Sequence, residues 1–329
     1  MTADDRRPRS MKLVRIGGIV LGVLALTLCI RAIVQEWADI STAVRRADVR
    51  WLVAALALSG ASMASLGVLW QRCLAVFGHR TPLGATISWY FAGELGKYVP
   101  GGVWAVLGRG ELAYRLAGVP RSVAYGTTLV SYGTMCLSAA FVCAALIPWV
   151  FVGGGDPGWY VVTVVLVPLG VGIVHPVPFG RILALGRRAT GGKLDLHPAR
   201  WGQMIALIVW GIPAWLLLGG AAWCIAQALA FPGRFPDVAF AAVTAWILGF
   251  LLFPVPAGAG VREVVFIALA GLSAGPAAAI ALVSRVALMI ADGIGGLVGL
   301  AGISRRVGSR DLRHFLDNAE SQETPDEKC

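Results

Sequence analysis

Pro254-Val255-Pro256-Ala257-Gly258-Ala259-Gly260-Val261-Arg262-Glu263 breaks an apolar stretch in the second half of the chain. Tyr98-Val99-Pro100-Gly101-Gly102-Val103 breaks one in the first half. Proline removes a helix amide and glycine weakens a helix, so the two together read as an interruption of each stretch. Irregular backbone is tolerated at membrane depth only where protein or a water-filled cavity receives its polar groups. A matched pair of interrupted segments, one in each half, points to a transporter-type binding site. The chain therefore reads as a membrane protein that holds or moves a polar group inside the bilayer.

Composition agrees. Of 329 residues, 57% are apolar and only 14% charged, against roughly half and a quarter in soluble domains. The runs Trp51 to Trp70, Ser122 to Gly155, Pro157 to Gly180, Trp201 to Gly233, Val238 to Val261 and Val264 to Ser284 contain no Asp, Glu, Lys or Arg. A helix of about 20 apolar residues spans a bilayer, so most of these runs are long enough to cross. The net charge of +10 gathers in loops, where the positive-inside rule expects it on the cytoplasmic side; it is not a nucleic-acid signal. The six cysteines form no CxxC pair and read as small buried hydrophobes. Arg6 to Arg15 followed by the apolar run Ile16 to Ile30 imitates a signal peptide. Ile30-Arg31-Ala32-Ile33 offers no small-residue cleavage site, so the run reads as the first transmembrane helix.

The expected architecture is all-α: about six spanning helices plus two re-entrant helical hairpins in an inverted repeat. Residues 1–11 form a cytoplasmic tail, 12–305 the membrane domain and 306–329 a second cytoplasmic tail, with 317–329 disordered. Spanning helices are expected over 13–34, 51–77, 122–152, 159–177, 201–230 and 276–303. Residues 35–50 read as an interfacial amphipathic segment. The hairpins occupy 83–117 and 238–272, each turning at its proline–glycine break. Their arms are too short, and the exit arm with Arg109, Glu111 and Arg115 too charged, to cross lipid comfortably. The loop 179–200 carries five Lys or Arg and the tail carries Arg305, Arg306, Arg310 and Arg313, which puts both termini in the cytoplasm. The two halves also share an order: break, short helix, Ala117-Gly118 or Ala270-Gly271, then a long helix. Glycine pairs Gly18/Gly22 and Gly295/Gly299 have helix-packing spacing.

At these residues the chain resembles the lysylphosphatidylglycerol synthase transmembrane-region family, also described as flippase-like (UPF0104) membrane proteins. Gly93-Glu94-Leu95-Gly96-Lys97-Tyr98-Val99-Pro100-Gly101-Gly102-Val103-Trp104 and Pro256-Ala257-Gly258-Ala259-Gly260-Val261-Arg262-Glu263 carry the likeness. Ala257 and Ala259 stand where the family more often has Gly or Leu. The resemblance implies a membrane region that flips a lipid. The best-known members fuse that region to a soluble aminoacyl transferase; here the membrane region alone is expected. The implied location is a bacterial plasma membrane, crossed several times.

The candidate substrate-binding residues are Glu94, Lys97, Gly101, Gly102, Arg109, Gly258, Gly260, Arg262, Glu263, Arg285 and Asp292. Charges inside a membrane are costly and usually face a cavity or a partner. A helix starting after each break presents free amides and a positive dipole end, and glycine lets that backbone approach a ligand. With Lys97, Arg109 and Arg262 these ends make a cradle for a lipid phosphate. Glu94, Glu263 or Asp292 would answer a cationic headgroup or carry a proton. Structural readings stand beside these: Glu94 with Lys97 as a pair three residues apart, Arg262 with Glu263 as a pair capping the helix, and Arg285 with Asp292 as an interhelical clamp. Arg115 reads as a snorkelling interface residue, and the tryptophans, among them Trp70, Trp89 and Trp246, as interface belt or packing residues. G-x-S-x-G, HExxH, Walker A and Rossmann patterns are absent from the sequence, so the chain is expected not to be an enzyme and to need no cofactor or metal. The expected function is binding and translocation of a phosphate-bearing lipid headgroup. The alternatives are a subunit that presents a lipid-linked substrate to a separate envelope-lipid biosynthetic enzyme, and an integral-membrane transferase, against which the nearly bare outer loops count. The expected partners are a membrane lipid and such an enzyme, with no nucleic acid.

Overall fold

The computed structural model describes residues 42, 45–98, 104–151, 180–181, 184, 188, 199–231, 233–251 and 260–320. The breaks themselves (99–103 and 252–259), the helices expected over 13–34 and 159–177, and most of the segment 35–50 lie outside the described residues. Among those described, eight α-helices follow in order: α1 Val49–Val76, α2 Leu83–Glu94, α3 Trp104–Ala117, α4 Arg121–Phe151, α5 Trp201–Ala228, α6 Phe235–Leu251, α7 Val261–Leu269 and α8 Ala274–Glu320. A short 3-10 helix, Leu95–Tyr98, continues α2. Among the described residues, four helices are long and apolar enough to cross a membrane: α1, α4, α5 and the Ala274–Ser304 part of α8. This is an all-α, multi-pass membrane protein.

Local chemistry sets the ends of these elements. Asp48 opens α1 by accepting the Arg50 amide at 2.9 Å, the usual work of an aspartate N-cap. The α5 start is closed by Gln203 Oε1, which accepts the Arg200 amide at 3.0 Å. The two Ala-Gly turns behave alike. Gly118 and Gly271 have φ of 64° and 66°, the left-handed conformation that ends helices with glycine. Each thus separates a short helix from a long one, α3 from α4 and α7 from α8. One boundary differs from expectation. α8 continues to Glu320 rather than stopping near Ile303, so part of the tail expected to be disordered is helical. No proline interrupts 304–320, and its four arginines, two leucines, alanine and glutamate favour a helix enough to carry it past Gly308.

The short helices pack in pairs. A β-carbon on Gly93 would meet the Arg109 amide nitrogen at 3.1 Å, and one on Gly96 the Ala105 nitrogen at 2.8 Å; α2 and α3 are therefore antiparallel, closest towards the break. Gly249 lies against Arg262, and Gly271 lies near Asp237, so α6 and α7 are antiparallel too. One helix of each pair, α2 and α7, lies along α8, and the two approach it from opposite ends. Going up α8, Lys97 meets Asp292, Leu95 meets Gly296, and Ser88 meets Gly299 and Gly302. Going down it, Glu263 meets Arg285, and Ala270 shares a packed cluster with Ala277. The two break-proximal ends face each other across residues 285–292, which bracket the midpoint of the apolar part of α8.

Around this axis α1 and α5 run side by side with α4 and α6, and their buried faces join Trp70, Leu74, Met204, Trp215, Phe240 and Trp246 in one core. Lipid is as apolar as these side chains, so close packing and polar contacts, not water exclusion, hold such helices together. Small residues permit it. Gly295 and Gly299, read from the sequence as packing glycines, lie under Phe91 and Ser88. A β-carbon on Gly299 would sit 2.5 Å from the Ser88 carbonyl oxygen. Gly299→Val should therefore lower stability by about 1–3 kcal/mol, the usual cost of overpacking, seen as an earlier thermal transition in detergent. An unchanged transition would contradict the α2–α8 packing.

Candidate functional site

Arg285 and Asp292 lie two turns apart on one face of α8, about 10 Å along its axis. Each reaches another segment, which fits the interhelical-clamp reading of this pair. Arg285 Nη1 donates to Glu263 Oε1 at 2.6 Å, and Asp292 Oδ2 receives Lys97 Nζ at 2.6 Å. One helix face thus takes hold of both broken segments. Lys97 also donates to Glu94 Oε2 at 3.2 Å, the expected pair three residues apart. Glu94 Oε1 accepts from Arg109 Nη2. The carboxylates are deeply placed: Glu94 and Glu263 are 4% exposed and Asp292 is 0% exposed. Buried charges persist only with partners, and here each carboxylate has at least one cation against it.

Glu263 has a second task. Its Oε2 accepts the Gly260 amide at 2.7 Å, closing the first turn of α7 where Gly260 has φ of 83°. This corrects two sequence expectations. The amide at the start of this helix is occupied by the helix's own glutamate, and the partner of Glu263 is Arg285 rather than Arg262. Residues adjacent in a helix point about 100° apart and cannot face each other.

The arginines that follow the two breaks lie on aromatic rings. Arg109 stands 4.0 Å over Tyr90 and 5.0 Å over Tyr132. Arg262 stands 4.8 Å over Trp246. Trp246 stacks on Phe250 at 5.5 Å, and Phe250 meets Tyr132 at 5.2 Å. An unbroken line of rings thus joins Arg262 to Arg109, with the cation–π attraction that rings supply. From sequence these aromatics look like ordinary members of apolar runs, and no spacing marks them. Trp70, Trp89 and Trp246 are buried packing residues, whereas Trp51, Trp104 and Trp201 are exposed, as membrane-interface residues are.

A cavity of about 70 Å³ opens between the two broken segments, room for roughly five waters. Lys97, Arg262, Glu263, Arg285 and Asp292 form one wall. The rest of the lining is mainly apolar, with Ala221, Ala222, Ala242 and Ala245 beside larger side chains such as Met63 and Trp246. Ser59 and Ser284 also line it; neither stands out in the sequence. Arg109 and Glu94 do not line the cavity. They lie behind Lys97, with Arg109 only 1% exposed, and act as a strut. Gly101, Gly102 and Gly258 lie outside the described residues. Glu111 belongs elsewhere: it accepts from Arg115 at 2.6 Å and Arg121 at 3.0 Å at the α3–α4 turn. Burial opposes its ionisation, but hydrogen bonds from Arg121 and Arg115 outweigh this and lower its pKa from 4.5 to about 2. A carboxyl with a depressed folded pKa stabilises fully above its ordinary range and loses that contribution as pH falls towards the lower value.

The family model for the lysylphosphatidylglycerol synthase TM region matches residues 15–296. The chain belongs to that family. The matched region includes all seven charges of the cluster, from Glu94 to Asp292. The family relates this membrane protein to lipid metabolism. Comparison with curated proteins gives no match.

Glu94→Gln leaves Arg109 buried without its anion, so thermal stability in detergent should fall by about 3–5 kcal/mol. Adding Arg109→Met should recover much of the loss, because an apolar replacement removes the unpaired charge. A double variant as unstable as the single one would contradict the strut.

Proposed function

We propose that this lysylphosphatidylglycerol synthase TM-region protein binds the phosphate of a lipid headgroup in the cavity and passes it across the bilayer, without catalysing a covalent change. The carrying observation is a cavity that places Lys97, Arg262 and Arg285 beside the midpoint of an apolar helix. Cations held there at a structural cost are usually functional. In this reading the pairs α2–α3 and α6–α7 are re-entrant hairpins from opposite leaflets. Their helices have 12, 14, 17 and 9 residues, short of the roughly 20 that span a bilayer. Six spanning helices, with 13–34 and 159–177 among them, complete the inverted repeat, and both chain ends face the cytoplasm.

The chemistry follows from the ion pairs. A phosphate can take the place of a carboxylate on a guanidinium with the same two-point geometry, and Lys97 adds a point charge. Entry of the headgroup would loosen the grip of Asp292 on Lys97 or of Glu263 on Arg285. These contacts hold the two break-proximal ends on α8, so their exchange gives the site a way to open towards one side and then the other. The acyl chains stay in lipid.

The test is a liposome assay with the purified full chain and acyl-labelled phospholipids. The protein should speed translocation of at least one phosphate-bearing lipid. Arg262→Ala and Lys97→Ala should each slow it at least about tenfold, the loss expected for one charge-assisted hydrogen bond, while circular dichroism remains that of a folded helical protein; Lys97→Ala also melts earlier, because Asp292 loses its cation. Normal rates in both variants would remove the cradle. Tight lipid binding without translocation would favour a subunit that presents lipid to a separate enzyme.

A further inference from the structure

A hydroxyl inside a membrane helix commonly gives its proton to a backbone carbonyl, usually one turn back. Ser65 of α1 and Thr127, Ser131, Thr134 and Ser138 of α4 do so at 2.7 to 3.0 Å. Ser62 reaches across to the Ala214 carbonyl of α5 at 2.8 Å. Among the described residues, two serines break this pattern. Ser284 Oγ on α8 is buried with no hydrogen-bond partner. Ser59 on α1 is 1% exposed and makes no hydrogen bond either. A buried polar group left unpaired is costly and calls for an explanation. The two serines stand on different helices, yet both line the cavity.

We infer that Ser59 and Ser284 read a hydroxyl group on the headgroup, so that the cavity prefers polyol headgroups, open-chain or ring. This deepens the proposed function and rests on it for the site's being a lipid site. The class follows from what each chemical group can exchange. A serine hydroxyl donates one hydrogen bond and also accepts. A phosphate oxygen without a proton only accepts, and the cations Lys97, Arg262 and Arg285 lining the same cavity are stronger donors to it. An ammonium only donates, which leaves the serine protons unused. An alkyl group does neither. A hydroxyl does both, and so answers each serine in full. Water can serve the serines before a headgroup binds, but a headgroup that expels water has to replace its bonds. A site with buried polar groups set for a substrate hydroxyl therefore rejects the analogue that lacks it.

The test holds charge constant and varies only hydroxyls. Short-chain phosphatidylglycerol, phosphatidylinositol and phosphatidylpropanol are titrated calorimetrically into the purified full chain in detergent. Phosphatidylpropanol keeps the phosphodiester and the carbon chain of the glycerol headgroup but has no headgroup hydroxyl. At least one polyol lipid should bind about tenfold more tightly than phosphatidylpropanol. Tighter binding of the glycerol lipid marks an open-chain polyol, and of the inositol lipid a ring. Ser59→Ala and Ser284→Ala should each shrink that preference at least about threefold, the loss of one neutral hydrogen bond, with phosphatidylpropanol bound as by the parent. Neither serine gives up a bond within the protein, so both variants should melt as the parent does. Ser62→Ala, which loses the bond to Ala214, should melt earlier and keep the preference. Equal binding of all three lipids by the parent, or an unchanged preference in both serine variants, would overturn the inference even if lipids are translocated in the liposome assay. A serine-dependent preference without translocation would uphold it and overturn the transport reading instead.

Discussion

Two charges on one helix, spaced by two turns, hold the membrane domain at its middle. Arg285 takes Glu263 from the segment after the second break, and Asp292 takes Lys97 from the segment before the first. In lipid there is little hydrophobic drive for helices to associate, and polar contacts with close packing must supply the specificity. Short helices such as α2, α3, α6 and α7 have the least apolar length to anchor themselves. Ion pairs to α8 fix where their break-proximal ends lie, and the glycines of α8 let α2 come close enough to keep that register.

The same contacts create the site. A carboxylate or a guanidinium at this depth is costly alone, so each is tied to a partner, and the ties converge because both breaks end at the same stretch of α8. The cavity is what remains between two ends that meet but do not interpenetrate. Its charged residues already form an ion-pair lattice, so under the proposed function a ligand would enter by exchange rather than by filling vacant positions.

Much of this was legible in the sequence because proline and glycine act locally. The short helices and the two Ala-Gly turns followed from residues that permit few conformations, and Gly118 and Gly271 have nearly the same φ. The charges were legible as a set, since seven ionisable residues in apolar surroundings are conspicuous. Their pairing was not. The spacing of Arg285 and Asp292 told that they share a face, but not that they reach different partners. The adjacency of Arg262 and Glu263 invited a pairing that helix geometry forbids. A capping role for Glu263 was legible beside that pairing, and its bond to the Gly260 amide supplies it. The line of rings from Arg109 to Arg262 joins residues from four helices, which periodicity along one segment cannot reveal.

The central claim is that the two broken segments reach the middle of α8 from opposite ends, and therefore from opposite faces of the membrane. Leu83 and Ser273 mark their outer ends, and both are exposed. Single cysteines at these positions, in a chain otherwise freed of cysteine, can be tested in sealed vesicles with a membrane-impermeant maleimide added from one side and then the other. The account predicts labelling of Leu83→Cys from one side only and of Ser273→Cys from the opposite side only. Labelling of both from the same side would contradict it.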